Sequence, residues 1–91
     1  MWLVQLTIKI PSEQIKQEWF AEHESRNQKL RESGVIMANG PFSDYSGGCF
    51  LYNCENDEIE SLVKEDPFVV NDVVDYVCKE WNVVFSPKLT P

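Results

Sequence analysis

The chain has 91 residues, the length of one small domain, and its fifteen acidic and eight basic side chains give a net charge of −7. An acidic surface repels nucleic-acid phosphates and anionic lipids, and no segment approaches the roughly 20 apolar residues that span a bilayer, so we expect neither nucleic acid nor membrane as a partner. Three cysteines without a Cys-x-x-Cys pair are typical of a cytoplasmic protein, and a chain this small is expected to gain buried surface by self-association.

The first ten residues predict a β-strand rather than a targeting segment, because they lack a basic start and end at Pro11. Side chains alternate along this stretch, so that one face is apolar and suited to a core. We expect the even-numbered face to pack beneath helices and the odd-numbered face to line the other side of the sheet. The even-numbered set is Trp2, Val4, Leu6, Ile8 and Ile10, and the odd-numbered set is Leu3, Gln5, Thr7 and Lys9.

The pattern then becomes helical and predicts a first helix from Ser12 to Leu30 or Ser33. Ser12 is suited to cap the N-terminus, with the acidic Glu13 in the first turn. Gly34 is well placed to end the helix, because glycine readily adopts the left-handed conformation that follows a last helical turn.

The only histidine of the chain, His23, lies on the apolar stripe of this helix. It follows Trp19 by four residues and precedes Leu30 by seven, so a titratable ring stands where a leucine would be expected. One interpretation is a core histidine that is hydrogen-bonded to a backbone carbonyl. The other is a histidine that faces a pocket.

A short apolar run, residues 35–38, predicts a second and buried strand that Gly40-Pro41 closes. Residues 40–48 are dense in turn formers and predict a loop. Residues 49–54 then predict a third strand, with aromatic side chains on one face.

A second helix is predicted to begin with Asn56 as its cap and to end before Pro67. The next position on its apolar stripe is Asp66, whose carboxylate would lie at the helix C-terminus, where negative charge is disfavoured. Asp66 is therefore either a functional residue or a turn residue that accepts local backbone N–H groups. The apolar stripe before it consists of Ile59, Leu62 and Val63.

After a single turn at residues 69–70, a fourth strand is predicted within residues 73–85, because side chains alternate from Trp81 to Phe85. Residues 86–91 contain two prolines and are interpreted as a C-terminal tail. The domain is therefore expected to comprise residues 1–85.

The predicted element order is β-α-β-β-α-β, which is the ferredoxin-like α+β pattern with two helices on one face of a four-stranded antiparallel sheet. The other face of such a sheet must be left in water or covered by a partner. We expect a homodimer in which the two sheets face each other.

Three sequence features taken together resemble the YciI-like (YCII-related) proteins of the dimeric α+β barrel superfamily. They are the helical segment F-A-E-H-E-S-R around His23, the strand end Gly40-Pro41 followed by a glycine-containing loop, and the Asp66-Pro67-Phe68 sequence that closes the second helix. The chain departs from the family at Asn39, where members with an Asp-Gly-Pro-Phe motif have an acid.

The resemblance implies a ferredoxin-like protomer, a homodimer, and a pocket between sheet and helices in which His23 and Asp66 form an acid/base dyad. It also implies lyase or isomerase chemistry on a small cyclic compound, without a metal or organic cofactor. Gly40, Pro41 and Ser46 are the residues expected to bind the substrate.

Two functions stay open at the level of sequence. The first is the small-molecule enzyme just described, in which a carboxylate fixes the imidazole tautomer and leaves the other nitrogen as a base. The second is a non-catalytic module that binds a ligand or a partner protein. His23 and Asp66 within hydrogen-bond reach in a pocket would favour the enzyme, and a filled cleft with His23 bonded to backbone would favour the module. A zinc site is not expected, because one histidine with Cys49 and Cys54 cannot supply four ligands.

Overall fold

The computed structural model describes residues 1–86, which form a four-stranded antiparallel sheet with its helices on one face. The sheet order is β2-β3-β1-β4, so the two central strands are β1 and β3, and the ferredoxin-like α+β prediction is confirmed. The elements are β1 (Trp2–Ile8), α1 (Gln17–Glu32), β2 (Ile36–Pro41), β3 (Gly47–Tyr52), α2 (Ile59–Lys64), α3 (Pro67–Val70) and β4 (Val74–Glu80).

The core lies between the sheet and the helices, and the predicted core face of β1 is confirmed at Val4 and Leu6, whereas Ile8 on the same face is 36% exposed and lines a cavity. Val4 and Leu6 are buried, with 1% and 4% of their surface exposed, whereas Gln5 and Thr7 are exposed on the opposite face. Because side chains alternate across paired strands, the same register buries Phe50 beside Val4. The core cluster consists of Val4, Leu6, Ile36, Phe50, Tyr52, Ile59, Val63, Val73 and Val74.

The predicted start of the first helix is wrong. Residues Ser12–Gln14 form one 3₁₀ turn, Ile15 is extended, and α1 begins only at Gln17. The Ser12 hydroxyl does not cap a helix, because it donates to the neighbouring Glu13 carboxylate. The backbone at Ile15 is extended, and the Ile15 side chain packs against the core.

Gly34 ends the first helix, as predicted. Its φ of +81° is in the left-handed region, and the Val35 N–H donates to the Leu30 carbonyl at 2.9 Å across the helix end. The chain thereby reverses into β2 and brings the end of α1 beside the sheet edge.

The predicted loop at residues 40–48 is shorter in the structure, because both of its ends belong to strands. Gly40 and Pro41 belong to β2, where they pair with Cys49 and Gly48, and the connection spans residues 42–46. Position 47 requires a glycine because β3 approaches β1 closely here. A Cβ at this position would lie 1.8 Å from the Leu6 carbonyl oxygen. Composition cannot distinguish a glycine required by strand packing from one required by a turn.

The second helix is shorter than predicted at its N-terminus. Residues 56–58 form a turn, and α2 begins at Ile59 without a side-chain cap. Asn56 instead accepts a hydrogen bond from the Trp2 indole at 3.1 Å. This hydrogen bond joins two segments that are far apart in the chain, so a local sequence pattern could not predict it.

The alternating residues from Trp81 to Phe85 are not part of β4, which ends at Glu80. Glu80 pairs with Trp2 at the start of β1, and the Trp81 N–H donates to the Met1 carbonyl at 2.8 Å just beyond the strand. Without a neighbouring strand, Val84 and Phe85 are 96% and 75% exposed. The predicted tail lies outside the described residues except for Ser86.

No helix among residues 1–86 is both long enough and apolar enough to cross a lipid bilayer.

Candidate active site

The site is built around Asp66, which joins α2 to α3. Pro67 keeps Asp66 out of helical geometry, with φ −62° and ψ 126°, so α2 cannot continue. The Asp66 carboxylate then caps α3, because Oδ1 accepts the Phe68 N–H at 2.9 Å. The expected conflict with the C-terminus of α2 is therefore relieved by the N-terminus of the next helix. Asp66 accepts one local backbone N–H, as expected of a turn residue, and this bond leaves a functional role open.

The same Asp66 oxygen holds His23. Nδ1 of the imidazole lies 2.8 Å from Oδ1, and the two side chains are 17% and 2% exposed. The ring of Phe68 stacks on the imidazole at a centroid distance of 4.2 Å, and Phe50 contacts it edge-on at 5.9 Å. His23 is thus fixed by a side-chain carboxylate and two aromatic rings rather than by a backbone carbonyl.

The other imidazole nitrogen also has a partner, which the sequence interpretation missed. Nε2 lies 3.1 Å from Nδ2 of Asn27, whose side chain is completely buried. Asn27 follows His23 by four residues and therefore stands on the same helix face, so the spacing was the available signal.

Arg26 connects this cluster to the rest of the core. Its Nη1 donates to Asn27 Oδ1 at 3.2 Å and to the Tyr52 hydroxyl at 3.0 Å, while Nη2 donates to the Leu62 carbonyl near the end of α2. Nη1 also lies 3.9 Å from Oδ2 of Asp66. A buried carboxylate is stable only when it is paired, and here a guanidinium and two N–H groups surround it.

Tyr52 supplies an uncharged hydroxyl to this cluster. Burial raises the pKa of Tyr52, and this effect exceeds the opposing influence of the Arg26 guanidinium. The phenol therefore stays protonated near neutral pH and accepts the Arg26 hydrogen bond as a neutral group.

A cavity of about 450 Å³ lies beside His23, between α1 and one end of the sheet. Most of its wall is apolar, and polar groups enter it from few positions, as in small-molecule sites. The apolar wall includes Leu6, Ile8, Ile15, Phe20, Tyr45, Phe50, Phe68 and Val74, and the polar side chains are Ser12, His23, Glu24, Asn27 and Asn39.

The structure brings Gly40 and Pro41 to the cavity but does not bring Ser46 there. The Ser46 hydroxyl donates to Asp44 Oδ1 at 2.6 Å within the 42–46 connection. This bond lowers the pKa of the Asp44 carboxyl, so both residues serve the turn rather than the cavity.

Asn39, in β2, lines the cavity. Arg31 donates to its Oδ1 at 3.4 Å and to the Glu24 carboxylate at 2.7 Å. Because a guanidinium can only donate, the Asn39 amide presents its NH₂ group away from Arg31. This position therefore offers a neutral donor rather than a charge.

The described residues include three cysteines, and their positions and surroundings bear on whether a thiol could act at this site. Among residues 1–86, no group of three or more His, Cys, Asp or Glu side chains is placed to hold a metal ion. Cys49, Cys54 and Cys78 are free, and burial raises the pKa of each thiol. None of the three lines the cavity beside His23.

Comparison with known proteins matches the YCII-related domain model to residues 1–82. "Uncharacterized protein YjpA" of Bacillus subtilis (strain 168) is 27% identical over 79 residues, which cover 86% of this chain and 93% of that protein. A solved structure of 5-chloro-2-hydroxyhydroquinone dehydrochlorinase (TftG) from Burkholderia phenoliruptrix AC1100, in complex with 2,5-dihydroxybenzoquinone, superposes with a TM-score of 0.74. The superposition covers 89% of this chain and 92% of TftG at 21% identity, and this likeness shows a shared fold.

Proposed function

The chain belongs to the YCII-related domain family, and we propose that it is a small-molecule enzyme in which His23 and Asp66 act as an acid/base pair. The observation that carries this proposal is the 2.8 Å contact between His23 Nδ1 and Asp66 Oδ1 at the wall of a cavity of about 450 Å³. An apolar cavity that a few polar groups enter is the usual form of a small-molecule site, and a carboxylate bonded to Nδ1 leaves Nε2 as a base.

In this proposal His23 moves the proton and Asp66 stabilises the imidazolium that results. Nδ1 stays bonded to Asp66, so proton transfer takes place at Nε2. A substrate group reaches Nε2 by replacing the Asn27 amide as its hydrogen-bond partner. Asp66 holds the ring in place through this exchange, because its own position is fixed by the cap of α3.

We propose a small cyclic compound with a ring hydroxyl as the substrate, and a lyase or isomerase reaction that needs no metal or organic cofactor. The apolar and aromatic wall of the cavity, with Phe20, Phe50 and Phe68, suits a flat ring. The name of TftG describes removal of hydrogen chloride from a hydroxylated ring, a reaction class that one base can promote. Such a reaction balances when one hydroxyl proton moves to the ring carbon that bears chlorine and the base removes the proton of a second hydroxyl. Chloride then leaves with the electron pair of the carbon–chlorine bond, the ring becomes a quinone, and hydrogen chloride is the other product.

Binding of 2,5-dihydroxybenzoquinone, measured by isothermal titration calorimetry, tests the cavity. We expect saturable binding by the wild type and at least about tenfold weaker binding by His23→Ala, because one hydrogen bond and part of the ring wall are lost. Asp57→Ala is the matched control, since Asp57 is exposed and lies outside the cavity. Equal affinity in the wild type and His23→Ala would contradict the proposed site.

We also propose that the protein is a cytoplasmic homodimer of one domain, residues 1–85, formed through the open face of the sheet. Leu3 pairs with Leu51 on this face, next to Cys49, and Val77 is 56% exposed there. Apolar side chains grouped at the centre of an uncovered sheet favour contact with an identical sheet.

Val77→Asp is expected to shift the sedimentation of the protein from dimer to monomer at micromolar concentration. A charge on the open face would be desolvated in the paired sheets. Val70→Asp is the control, because Val70 is 66% exposed on α3, on the helical side of the molecule. A wild type that sediments as a monomer would rule out the dimer.

A further inference from the structure

Arg26 fixes the orientation of the Asn27 amide. A guanidinium carries donors only, and Nη1 of Arg26 lies 3.2 Å from one atom of the amide, which must therefore be its oxygen. The NH₂ group of Asn27 is consequently turned toward Nε2 of His23, 3.1 Å away. The direction of these hydrogen bonds is set by Arg26, because its guanidinium stays protonated and can only donate.

The Asn27 amide in turn fixes the tautomer of His23. An NH₂ group only donates, so Nε2 must accept with its lone pair. The single proton of the neutral ring then resides on Nδ1 and is donated to Asp66 Oδ1 at 2.8 Å. Hydrogen bonds therefore run in one direction, from Arg26 to Asn27, from Asn27 to His23 and from His23 to Asp66.

The surrounding packing prevents this arrangement from reversing. Asn27 is completely buried, and Arg26 is held by the Tyr52 hydroxyl and the Leu62 carbonyl. Rotating the Asn27 amide by half a turn would set its NH₂ group against the guanidinium and its oxygen against the Nε2 lone pair. Each of these contacts would join two like partners at a side chain that is completely buried, and would therefore be unfavourable.

We propose that Arg26 and Asn27 are positioning residues that hold His23 in the Nδ1–H tautomer, so that the ring begins the reaction as a base. The role of His23 as a base rests on the proposed function, whereas the assignment of the tautomer rests on the hydrogen bonds alone. It also restricts the substrate: Nε2 is reached only by a group that replaces the Asn27 donor, so the atom that loses its proton must itself be a hydrogen-bond donor, as a ring hydroxyl is.

Nitrogen NMR of the full-length protein labelled with ¹⁵N-histidine tests the inference, because His23 is the only histidine. With the ring neutral, we expect a protonated Nδ1 and an unprotonated Nε2 in the wild type. Asn27→Asp replaces the donor with acceptors and is expected to place a proton on Nε2. Asn27→Leu removes the donor, and Arg26→Met frees the Asn27 amide to rotate. Each should lower the ratio of the Nδ1–H to the Nε2–H tautomer by about tenfold.

Gln28→Ala is the control, since Gln28 is the exposed neighbour of Asn27 and bonds only to Glu32. Amide spectra of each variant establish that it is folded before its imidazole is compared. A wild-type ring protonated on Nε2 would overturn the inference, and so would a tautomer that is unchanged in all three variants, because Asp66 alone would then set it. These outcomes differ from a failure of the proposed function, which appears as unaltered ligand binding by His23→Ala.

Discussion

Replacing Asp66 with alanine is expected to lower the free energy of unfolding by about 3–5 kcal/mol, a large fraction of the stability of a small domain. The substitution leaves the Arg26 guanidinium without its carboxylate and removes the acceptor of two N–H groups, those of Phe68 and His23. Asp66 is 1% exposed, so water cannot take over these contacts. Urea unfolding followed by circular dichroism measures the loss.

Two further variants make this result specific to the buried carboxylate. Asp66→Asn keeps an oxygen for the Phe68 and His23 N–H groups but loses the charge, and should be intermediate in stability. Asp57→Ala removes an exposed carboxylate and should change the free energy of unfolding by less than about 0.5 kcal/mol. A loss below about 1 kcal/mol for Asp66→Ala would show that the carboxylate does not hold the cluster together.

Gly47→Ala is expected to prevent stable pairing of β1 with β3, although the change adds a single methyl group. The new Cβ would lie 1.8 Å from the Leu6 carbonyl oxygen and 2.8 Å from the Leu6 carbonyl carbon, and both are backbone atoms of the central strand. Relief requires the two central strands to separate, which would cost more than the typical 1–3 kcal/mol of overpacking. Thermal unfolding and amide dispersion measure the effect.

Gly40→Ala is the matched control for this prediction. Gly40 lies in the neighbouring strand β2, and a Cβ there meets no atom within 4 Å. Alanine should therefore be tolerated, with a change of less than about 1 kcal/mol. If Gly47→Ala were as stable as Gly40→Ala, the close approach of β3 to Leu6 would be refuted.

The parts of the fold that the sequence predicted correctly depend on regular patterns or on single residues with strict conformational needs. Alternation in β1 predicted which side chains are buried, and Gly34 marked the end of α1 through its positive φ. The errors at the helix starts arose where a polar side chain could either cap the helix or bond to another group at similar energy. Ser12 and Asn56 are both good caps, yet Ser12 bonds to its neighbour and Asn56 to Trp2.

Other errors arose because local sequence does not specify the neighbouring strand. Gly47 indicated a turn by composition, while its actual constraint is the backbone of β1. The alternation from Trp81 to Phe85 indicated a strand, but β1 begins at Trp2 and offers no further partner. Whether a segment becomes strand depends on pairing partners that lie far away in the chain.

The candidate site was predictable in its two principal residues but not in its full hydrogen-bond network. His23 and Asp66 each stood out because a polar group replaced an apolar one on a helical stripe, and the structure places them 2.8 Å apart. Arg26 carried no such signal, and the spacing of four residues between His23 and Asn27 was a weak one, because polar residues on an amphipathic helix are usually solvated. Their burial became evident only when α2, α3 and Tyr52 were placed around them.

Chloride release from 5-chloro-2-hydroxyhydroquinone is the most direct test of the acid/base pair. The proposed function predicts release by the wild type without added metal or cofactor, and a value of kcat/KM at least about 10²-fold lower for His23→Ala, because general acid–base catalysis contributes on this scale. Asp57→Ala should match the wild type. Binding without turnover would favour the non-catalytic ligand-binding module, and equal turnover by the wild type and His23→Ala would contradict the proposed role of the His23–Asp66 pair.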